Sequence, residues 1–490
     1  MADLVIQKKN EVYLKVQAEP HLHKEAAEYF TFEIPSAKYM QKTRRYKGWD
    51  GKVRLYSPAT GEIYCGLVDY LTDWAKDRGY QVEYLESEHF GHPKDQNELI
   101  TPQSVVGFVK ALRLPVKVRD YQYAAIYESL RYNRALLLSP TASGKSLMIY
   151  SLVRFHVNVK RNVLIIVPTT SLVEQMYKDF KEYGWNVKDH CHRIYGGKEK
   201  YTDHNVVIST WQSIYKEPRK WFEKFDVVIG DEAHLFKAKS LTAIMNKLHG
   251  CKYRIGFTGT LDGTECNQLV LEGVFGKCSK VTKTSELMEK GHVAKLKVEV
   301  IVLKHDEQIF EGYQDEMEYL CEHEQRNHFI RNLACDLKGN TLVLFNYVEK
   351  HGLPLYEMIN SHTDRPVHLV YGGVDVDDRE HIRRLVENEN DQIIVASYGT
   401  FSTGINIKRL HNLVFASPSK SRIRNLQSIG RVLRQSRGKE VATLYDIADD
   451  ISRDSGKNYT LRHLFERLKI YKEENFNYEI VEIKLKTHGN

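Results

Sequence analysis

Short runs dominated by apolar residues recur along this chain, and they restrict its fold more than any other feature of the sequence. Such runs stand at 163–167, 206–208, 341–345 and 391–396, separated by segments with helical periodicity. A strand that is apolar on both sides must be covered on both faces, as in a parallel sheet between two layers of helices. The 490 residues are too many for one hydrophobic core. We therefore predict an α/β fold with two parallel-sheet lobes, at residues 104–285 and 290–450.

Two smaller regions flank these lobes. Residues 1–100 combine a strand at 12–16, a helix at 21–30, a three-stranded meander with turns at Asp50-Gly51 and Thr60-Gly61, and a helix from Leu67. We predict from them a small N-terminal α/β module, followed by a polar linker at 86–103. Residues 451–490 contain a helical apolar stripe and an alternating segment, which predict a short C-terminal helix and an edge strand.

A glycine-lysine-serine turn stands near the start of the first predicted lobe. The segment is Ser139-Pro140-Thr141-Ala142-Ser143-Gly144-Lys145-Ser146. In such a loop the backbone N–H groups bind phosphate oxygens, the Lys145 ammonium reaches the β- and γ-phosphates, and the Ser146 hydroxyl is a ligand for Mg²⁺. We predict that all eight residues bind a nucleotide and that Lys145 is also catalytic. The loop departs from G-x-x-x-x-G-K-[ST] at its first position, where Ser139 replaces glycine.

An acidic tetrapeptide ends a later strand of the same lobe. Asp231-Glu232-Ala233-His234 follows the β-type run 225–230, and Asp231 stands 86 residues after Lys145 (231 − 145). Beside a phosphate loop, the first carboxylate holds Mg²⁺, and the second can position and deprotonate water. We assign Asp231 to the metal and to catalysis, and Glu232 and His234 to catalysis. Loop and tetrapeptide together predict an enzyme that hydrolyses a nucleoside triphosphate with Mg²⁺.

Further polar residues of the first lobe stand where ligands are expected. Gln122 lies 23 residues before Lys145 (145 − 122), and its amide offers the donor and the acceptor that match the edge of adenine. Thr169 and Thr170 stand at the junction of a strand and a helix, and Thr210 stands at another strand end. Hydroxyl and N–H groups at a helix start suit a DNA phosphate, although helix capping also explains these threonines. We assign Gln122 to the nucleotide and the three threonines to DNA.

Two segments of the second lobe also contain residues that we assign to the nucleotide, to DNA or to catalysis. After the strand at 391–396, we assign Gly404 to the nucleotide and Thr400 and Thr403 to DNA. Thr258-Gly259-Thr260, in the first lobe, is expected to link the acidic pair to the second lobe through its hydroxyl groups.

The second of the two segments in the second lobe is Gln427-Ser428-Ile429-Gly430-Arg431-Val432-Leu433-Arg434. Two arginines three residues apart share one face of a helix. Guanidinium groups are permanently charged and bind phosphate oxygens in pairs, so Arg431 and Arg434 can neutralise a γ-phosphate. Two unrelated surface arginines are the simpler alternative. We assign Gln427, Arg431 and Arg434 to catalysis.

A basic segment with interleaved aromatic residues lies in the N-terminal module. Residues 38–54 contain seven lysine and arginine side chains against one acid, Asp50, together with Tyr39, Tyr46 and Trp49. Basic side chains bind phosphates, and an aromatic ring can stack on an unpaired base. A solvated hairpin with Trp49 in the core would give the same pattern. We predict DNA contacts for Arg44, Arg45, Lys47, Trp49, Lys52 and Arg54.

Composition excludes several other classes of protein. Seven scattered cysteines without a C-x-x-C pair argue against disulfides and zinc sites. No run approaches the roughly 18 apolar residues that span a bilayer, and the N-terminus lacks the apolar stretch of a signal peptide. A net charge of +7 is a mild indication of a polyanionic partner. We expect a cytoplasmic monomer without membrane association.

From residue 119 to residue 434, the order of these segments resembles that of superfamily 2 DExH-type helicases. His234 completes the acidic motif that is typical of these helicases. Residues 45–55 and 66–68 of the N-terminal module, with 167–170, 396–405 and 476–478, narrow the resemblance to the UvsW-type phage helicases. The resemblance implies two RecA-like lobes, ATP and Mg²⁺ as cofactors, and branched DNA as partner. Such a motor migrates Holliday junctions, regresses forks and unwinds displacement loops, tracking 3′→5′ in the cytoplasm of an infected bacterium. Ala233 departs from this family, whose acidic motif can carry cysteine there.

Three alternatives stay open on the sequence. A DExH RNA helicase would share the motifs, but the compact N-terminal module and the absence of long C-terminal RNA-processing domains argue against it. The duplex-translocase subunit of a restriction system would carry a nuclease motif, and we find none in either flank. A structure-specific binding protein whose ATP site only clamps would not need Glu232, Arg431 and Arg434.

Overall fold

The computed structural model describes residues 2–34, 37, 48–85, 99–404, 407–417, 419–436, 439–452 and 456–485, without the side chains at 376, 377 and 402–404. The chain divides into two compact units. The first consists of Met1–Ser139 and Gly144–Val281, and the second of Pro140–Ser143 and Thr282–Asn490. Each unit contains one seven-stranded parallel sheet, so the predicted α/β fold with two parallel lobes is confirmed.

Within its described residues, the N-terminal part of the first unit consists of a small mixed sheet and the helices α1 and α2. Its strand order is β5-β6-β2-β1-β7, with β1–β7 parallel and the other pairs antiparallel. Alternation in β2 places Leu14 and Val16 in the core, Leu71 and Trp74 line the buried face of α2, and Leu67, which caps this helix, is buried as well. The elements are β1 (Leu4–Lys8), β2 (Tyr13–Ala18), α1 (Pro20–Tyr29), β3 (Thr31–Glu33), β4 (Lys52–Arg54), β5 (Tyr56–Ser57), β6 (Glu62–Tyr64), α2 (Val68–Asp77) and β7 (Val82–Tyr84).

The hairpin around Asp50-Gly51 differs from the prediction. β4 pairs antiparallel with β3, a strand that we did not predict. The predicted meander would instead pair β4 with the residues just before the Asp50-Gly51 turn, from Arg45 onward. Of these, residues 45–47 lie outside the described residues. Gly51 has a φ of 80°, so the turn itself uses the backbone freedom of glycine.

The first large sheet is parallel throughout, in the order β10-β11-β9-β12-β13-β8-β14. Its strands β9, β11, β12 and β13 are buried on both faces, and helices form two apolar layers against the sheet. Its elements are α3 (Pro102–Ala111), α4 (Asp120–Tyr132), β8 (Arg134–Leu138), α5 (Lys145–Asn158), β9 (Val163–Val167), α6 (Thr170–Glu182), α7 (Val187–His190), β10 (Cys191–Ile194), β11 (Val206–Thr210), α8 (Trp211–Ile214), α9 (Arg219–Phe222), β12 (Val227–Asp231), α10 (Lys239–Lys247), β13 (Tyr253–Thr258), α11 (Glu265–Phe275) and β14 (Cys278–Lys280).

The N-terminal sheet is packed against this lobe. Leu269 of α11 belongs to the hydrophobic core of the N-terminal module. A Cβ atom added to Gly66 would lie 1.9 Å from the carbonyl oxygen of Glu272, so the two backbones meet where only glycine fits. Arg134, at the start of β8, donates to the Glu11 carboxylate at 3.0 Å, and its side chain is 2 % exposed. The module and the first lobe therefore share a continuous, partly charged interior.

The second unit repeats the parallel arrangement, in the order β17-β18-β16-β19-β20-β15-β21. The predicted C-terminal strand is β21, which pairs parallel with β15 and forms the edge of this sheet. The elements are α12 (Thr284–Glu289), β15 (Lys295–Lys304), α13 (Tyr313–Glu322), α14 (Glu324–Asp336), β16 (Thr341–Phe345), α15 (Leu353–Asn360), β17 (Val367–Val370), α16 (Val376–Asn388), β18 (Ile393–Ser397), α17 (Tyr398–Gly404), β19 (Asn412–Phe415), α18 (Arg422–Val432), β20 (Val441–Asp450), α19 (Tyr459–Glu473) and β21 (Tyr478–Lys484).

The C-terminal helix α19 is anchored to this sheet by buried charges. Arg467 forms an ion pair of 2.8 Å with Asp446 of β20, and both side chains are fully buried. The Glu316 carboxylate accepts hydrogen bonds from the backbone N–H groups of Tyr459 and Thr460, at the helix start. A carboxylate there also opposes the positive end of the helix dipole. None of the described helices is long and apolar enough to cross a membrane.

Candidate nucleotide and nucleic-acid sites

The predicted phosphate loop connects β8 to α5. Its turn is closed by Ser143, whose N–H and hydroxyl groups both donate to the Pro140 carbonyl, at 3.2 and 2.6 Å. The first residue of α5 is Lys145, and the second is Ser146. The loop therefore ends at the N-terminus of a 14-residue helix, where backbone N–H groups favour an anion.

The departure at Ser139 has a structural explanation. The positive φ angles of the loop occur at Ala142 (67°) and Gly144 (84°), and not at Ser139. Ser139 is fully buried, and its N–H donates to the carbonyl of Thr258 at 2.7 Å. The first position of the motif thus continues the sheet and does not need the conformational freedom of glycine.

Gln122, the predicted adenine-binding residue, is buried against the loop. Its side-chain oxygen accepts a hydrogen bond from the Arg119 N–H at 2.9 Å, which caps the start of α4. A Cβ atom added to Gly144 would lie 2.3 Å from Gln122 Nε2. Gly144 is therefore required both by its φ angle and by the glutamine amide beside it. The structure gives Gln122 a capping role, and adenine binding stays a prediction.

The acidic tetrapeptide begins at the last residue of β12. Lys145 Nζ lies 3.2 Å from Glu232 Oε1, so the loop lysine and the second carboxylate are in contact. Glu232 has a φ of 52°, and its N–H donates to Asp231 Oδ1 at 2.9 Å. Burial raises the pKa of Asp231 to about 6; the Lys145 charge opposes that rise and the Glu232 charge adds to it.

His234 connects this carboxylate pair to the neighbouring strand. Its Nδ1 atom lies 3.0 Å from the hydroxyl of Thr258, the last residue of β13, and 3.4 Å from Glu232 Oε2. Thr258 donates its single hydroxyl hydrogen to the Thr260 carbonyl. With its hydrogen used in this way, its oxygen can accept from His234 Nδ1–H, which favours the tautomer protonated at Nδ1. Burial lowers the pKa of His234 and keeps the ring neutral.

The residues assigned to Mg²⁺ fit such an ion. Asp231 and Ser146 offer carboxylate and hydroxyl oxygen, the hard donors that Mg²⁺ selects. Burial makes the ionised form of the Asp231 carboxylate costly, and a divalent cation would offset this cost. Two protein ligands also leave positions for phosphate oxygens and water, which this ion usually retains.

The predicted DNA-binding threonines of the first lobe line one cleft of about 590 Å³. Thr169 caps α6, Thr170 begins that helix, and Thr210 ends β11. Thr169 accepts from the Leu172 N–H at 3.4 Å, so the capping role is present as well. The cleft is lined by Pro168, Thr169, Thr170, Tyr195, Gly196, Gly197, Lys198, Lys200, Thr210, Gln212 and Ser213.

The loop 195–200 of this cleft contains no residue that we predicted to be part of a site. Gly197 has a φ of 79°, and Cβ atoms added to Gly196 or Gly197 would contact nothing within 4 Å. A bare backbone followed by Lys198 is a surface on which a phosphate can approach closely. The glycine pair followed by lysine was visible in the sequence. The sequence did not show that this loop lies beside the threonines. The loop follows β10 and Thr169 follows β9, and these two strands are separated in the sheet by β11.

In the second unit, Gln427 and Arg431 lie on α18, and both are partly exposed. The Arg431 guanidinium lies 5.8 Å from the ring centroid of Phe401. Arg434 follows the end of the helix at Val432, so the prediction that the two arginines share one helical face is wrong. Lys439 donates to the carbonyl groups of Val432 and Arg434 and thereby fixes the chain after the helix.

The predicted residues of α17 are differently placed. Thr400 is buried, and its hydroxyl accepts from Ser397 at 2.9 Å, an arrangement that favours a helix cap over a DNA contact. Thr403 and Gly404 end this helix, and the Thr403 side chain is outside the part of the chain that the structure describes. Their assignments stay predictions.

The basic segment of the N-terminal module is described only in part. Arg44, Arg45 and Lys47 lie outside the described residues. Lys52 lies 3.4 Å from Glu33 on the paired strand, and Arg54 forms an ion pair with Asp50. Half-buried Trp49 donates its indole N–H to the Lys52 carbonyl at 3.1 Å. The described charges of this hairpin are therefore partly compensated by acids, one of them outside the segment 38–54.

Two parallel seven-stranded sheets, a phosphate loop and an acidic strand end define the motor fold of superfamily 2 helicases. Family comparisons agree. Residues 115–263 match the profile "Type III restriction enzyme, res subunit", residues 324–436 match "Helicase conserved C-terminal domain", and residues 3–85 match "DNA helicase UvsW, N-terminal". The chain belongs to the UvsW family of DNA helicases.

Individual relatives support this assignment. The chain is 34 % identical over 500 residues to the ATP-dependent DNA helicase uvsW of Enterobacteria phage T4, covering 96 % of this chain and 98 % of the relative. The crystal structure of T4 UvsW matches with a TM-score of 0.51 and 30 % identity, over 99 % of this chain and 100 % of that one. A DNA-bound Type ISP restriction-modification enzyme, LlaBIII, shares the fold at a TM-score of 0.57 and 16 % identity, over 76 % of this chain and 32 % of that one.

Proposed function

We propose that this chain is an ATP- and Mg²⁺-dependent motor that remodels branched DNA. Its substrates would be forks, Holliday junctions and displacement loops, with 3′→5′ tracking by a monomer in the cytoplasm of an infected bacterium. One observation carries the proposal: the likeness to a phage ATP-dependent DNA helicase includes the N-terminal module as well as both lobes. An RNA helicase or a restriction translocase would share the lobes without that module.

The geometry of the first unit supports ATP hydrolysis. Ser146 and Asp231 would hold Mg²⁺, which would neutralise phosphate charge when bound. Lys145, now 3.2 Å from Glu232, would exchange this carboxylate for phosphate oxygens. A carboxylate released from its ammonium partner becomes a better proton acceptor, which suits Glu232 for deprotonating water. His234, 3.4 Å from Glu232, would help to position this carboxylate, and Arg431 and Arg434 would supply positive charge to the transition state.

The cleft in the first unit supports a nucleic-acid track. It combines the N-terminus of α6, three threonine side chains and the Gly196-Gly197-Lys198 loop around one groove. Such groups bind backbone phosphates and give no base specificity. A motor that moves along DNA of any sequence needs this kind of contact.

The direct test uses Lys145→Ala with forks, Holliday junctions, displacement loops and linear single strands. We expect the wild type to hydrolyse ATP on DNA and to remodel the branched substrates. Lys145→Ala should still bind DNA but lose hydrolysis and remodelling, because loop amides alone cannot offset the γ-phosphate charge. Lys178→Ala, an exposed lysine of α6, is the control for loss of a charge. Near-normal hydrolysis by Lys145→Ala would refute the assignment of the phosphate loop.

The branched-DNA part of the proposal has its own test. Arg44→Ala/Arg45→Ala should weaken fork binding and flatten its salt dependence by about one log–log unit per lost phosphate contact. ATP hydrolysis stimulated by single strands should persist, since the cleft of the first unit is unchanged. Lys24→Ala, on α1 of the same module, is the matched control. Equal losses on forks and single strands would show that the module does not recognise branched structure.

A further inference from the structure

The hydroxyl group of Tyr183 lies 2.9 Å from Ser146 Oγ, the oxygen assigned to Mg²⁺. Ser146 is in the first turn of α5, and Tyr183 is the residue that caps the C-terminal end of α6. No sequence motif connects these residues, which are 37 positions apart. The contact arises because α5 and α6 pack side by side in the first lobe.

An aromatic cluster holds the Tyr183 ring in place. Its centroid lies 5.2 Å from that of Tyr150, which also contacts Phe180 at 5.3 Å and Trp185 at 6.0 Å. Arg154 donates to the Tyr150 hydroxyl and lies over the Trp185 ring. Tyr183 therefore presents its hydroxyl group from a fixed position.

A hydroxyl ligand of a cation offers a lone pair to the metal and has one hydrogen to donate. The acceptor of that hydrogen decides where the lone pairs point. The Tyr183 hydroxyl, 2.9 Å away, can be such an acceptor, because a phenol oxygen retains free lone pairs. Groups that orient a metal ligand in this way typically change metal affinity by about 10–100-fold when removed.

We propose that Tyr183 is a positioning residue that orients the Ser146 hydroxyl toward Mg²⁺. The proposal rests on the assignment of Ser146 in the proposed function. Tyr183 also stands at one end of α6, and the opposite end of this helix, with Thr169 and Thr170, lines the nucleic-acid cleft. The two ends are separated by 13 helical residues, or about 20 Å. The residue that positions the metal ligand and one wall of the cleft are thus both part of α6 and its cap.

The test is Tyr183→Phe, which removes one oxygen and retains the ring. Binding of a fluorescent, non-hydrolysable ATP analogue is titrated with Mg²⁺ at equilibrium, and DNA-stimulated hydrolysis is measured over the same range. We expect the Mg²⁺ concentration for half-maximal binding to rise about 10-fold or more. kcat at saturating Mg²⁺ should stay within about twofold, since Tyr183 touches no reacting atom. Tyr177→Phe, on the same helix, should match the wild type in both measurements.

Ser146→Ala separates the proposal from its premise. With the metal ligand gone, adding Tyr183→Phe should cause no further change in Mg²⁺ dependence, whereas two independent effects would multiply. Unchanged Mg²⁺ dependence in Tyr183→Phe, or independent effects in the double variant, would overturn the role of Tyr183. Unchanged Mg²⁺ dependence in Ser146→Ala would instead refute the metal assignment of the proposed function. A Tm within about 4 °C of the wild type is expected for the loss of one hydrogen bond.

Discussion

Replacing Glu11 with alanine should loosen the N-terminal module from the first lobe. Glu11 accepts from Arg134 at 3.0 Å and from Lys8 at 2.6 Å. Burial alone would raise the pKa of Glu11, but these two cations lower it overall, so the carboxylate is charged at neutral pH. Arg134 has a side chain only 2 % exposed, and Glu11→Ala would leave its guanidinium without a counter-charge.

Breaking a buried ion pair typically costs about 3–5 kcal/mol. Arg134 would retain its bond to the main-chain carbonyl of residue 11, so we expect the lower end, about 3 kcal/mol. At roughly 2–4 °C per kcal/mol for domains of 150–250 residues, the transition of the first unit should fall by about 6–12 °C. Differential scanning calorimetry would measure this shift.

Two further variants sharpen this test. Glu62→Ala removes an ion pair of the same module in which the Lys9 side chain is 49 % exposed, and it should cost less than about 1 kcal/mol. Glu11→Ala/Arg134→Met removes the orphaned charge and should recover part of the lost stability. If Glu11→Ala behaved like Glu62→Ala, or if the double variant were no more stable than Glu11→Ala, the buried pair would not hold the module in place.

Three further outcomes are expected. Glu232→Gln should bind Mg²⁺-ATP yet stop hydrolysis, whereas Asp231→Asn should weaken metal-dependent binding; equal ATP affinities and rate losses in the two variants would refute this division of roles. Arg431→Ala and Arg434→Ala should each lower kcat by about 10³-fold with little change in Tm, and a large fall in Tm would favour a structural role. Burial lowers the pKa of His351 to about 3, so its stabilising contribution is complete above the unfolded pKa near 6.5 and declines as pH falls toward 3. Between pH 7 and 5 this residue alone should cost the second unit about 2 kcal/mol, and denaturant titrations of His351→Gln should show a weaker pH dependence.

The sequence predicted the parts of this fold that follow from local pattern. Val163–Val167 and Thr341–Phe345 are strands with the expected bounds, because uniform burial leaves a purely apolar signature. Residues at the carboxyl ends of such strands, including Asp231 and Thr210, could be placed near a site for the same reason. Contacts between elements that are far apart in the sequence have no such local signature. No local pattern singles out Tyr183, which caps an amphipathic helix, and the pairing of β4 with β3 joins two segments that are far apart in the sequence.

The end of α18 shows a different limit. Spacing placed Arg431 and Arg434 on one helical face, but a helix stops where its carbonyl groups find other partners. Here Lys439, from a later segment, donates to the carbonyl of Val432, the last helical residue, and to the carbonyl of Arg434 beyond it. Burial lowers the pKa of its ammonium to about 7, which marks a contact that local propensity cannot reveal.

The position of β8 in its sheet constrains how the chain is made. This strand carries the phosphate loop at its end, yet its neighbours are β13 and β14, where Leu138 pairs with Thr258 and Lys280. The ribosome therefore adds another 120 residues (258 − 138) to 142 residues (280 − 138) after Leu138 before that residue can pair on each side. Until then the backbone N–H and C=O groups of Leu136, Leu137 and Leu138 lack their partners in the sheet, and the apolar side chains of this strand are not covered. Pairings this distant are slow to form and prone to aggregation. The nascent protein would thus depend on late synthesis, or on a chaperone, to complete its ATP site.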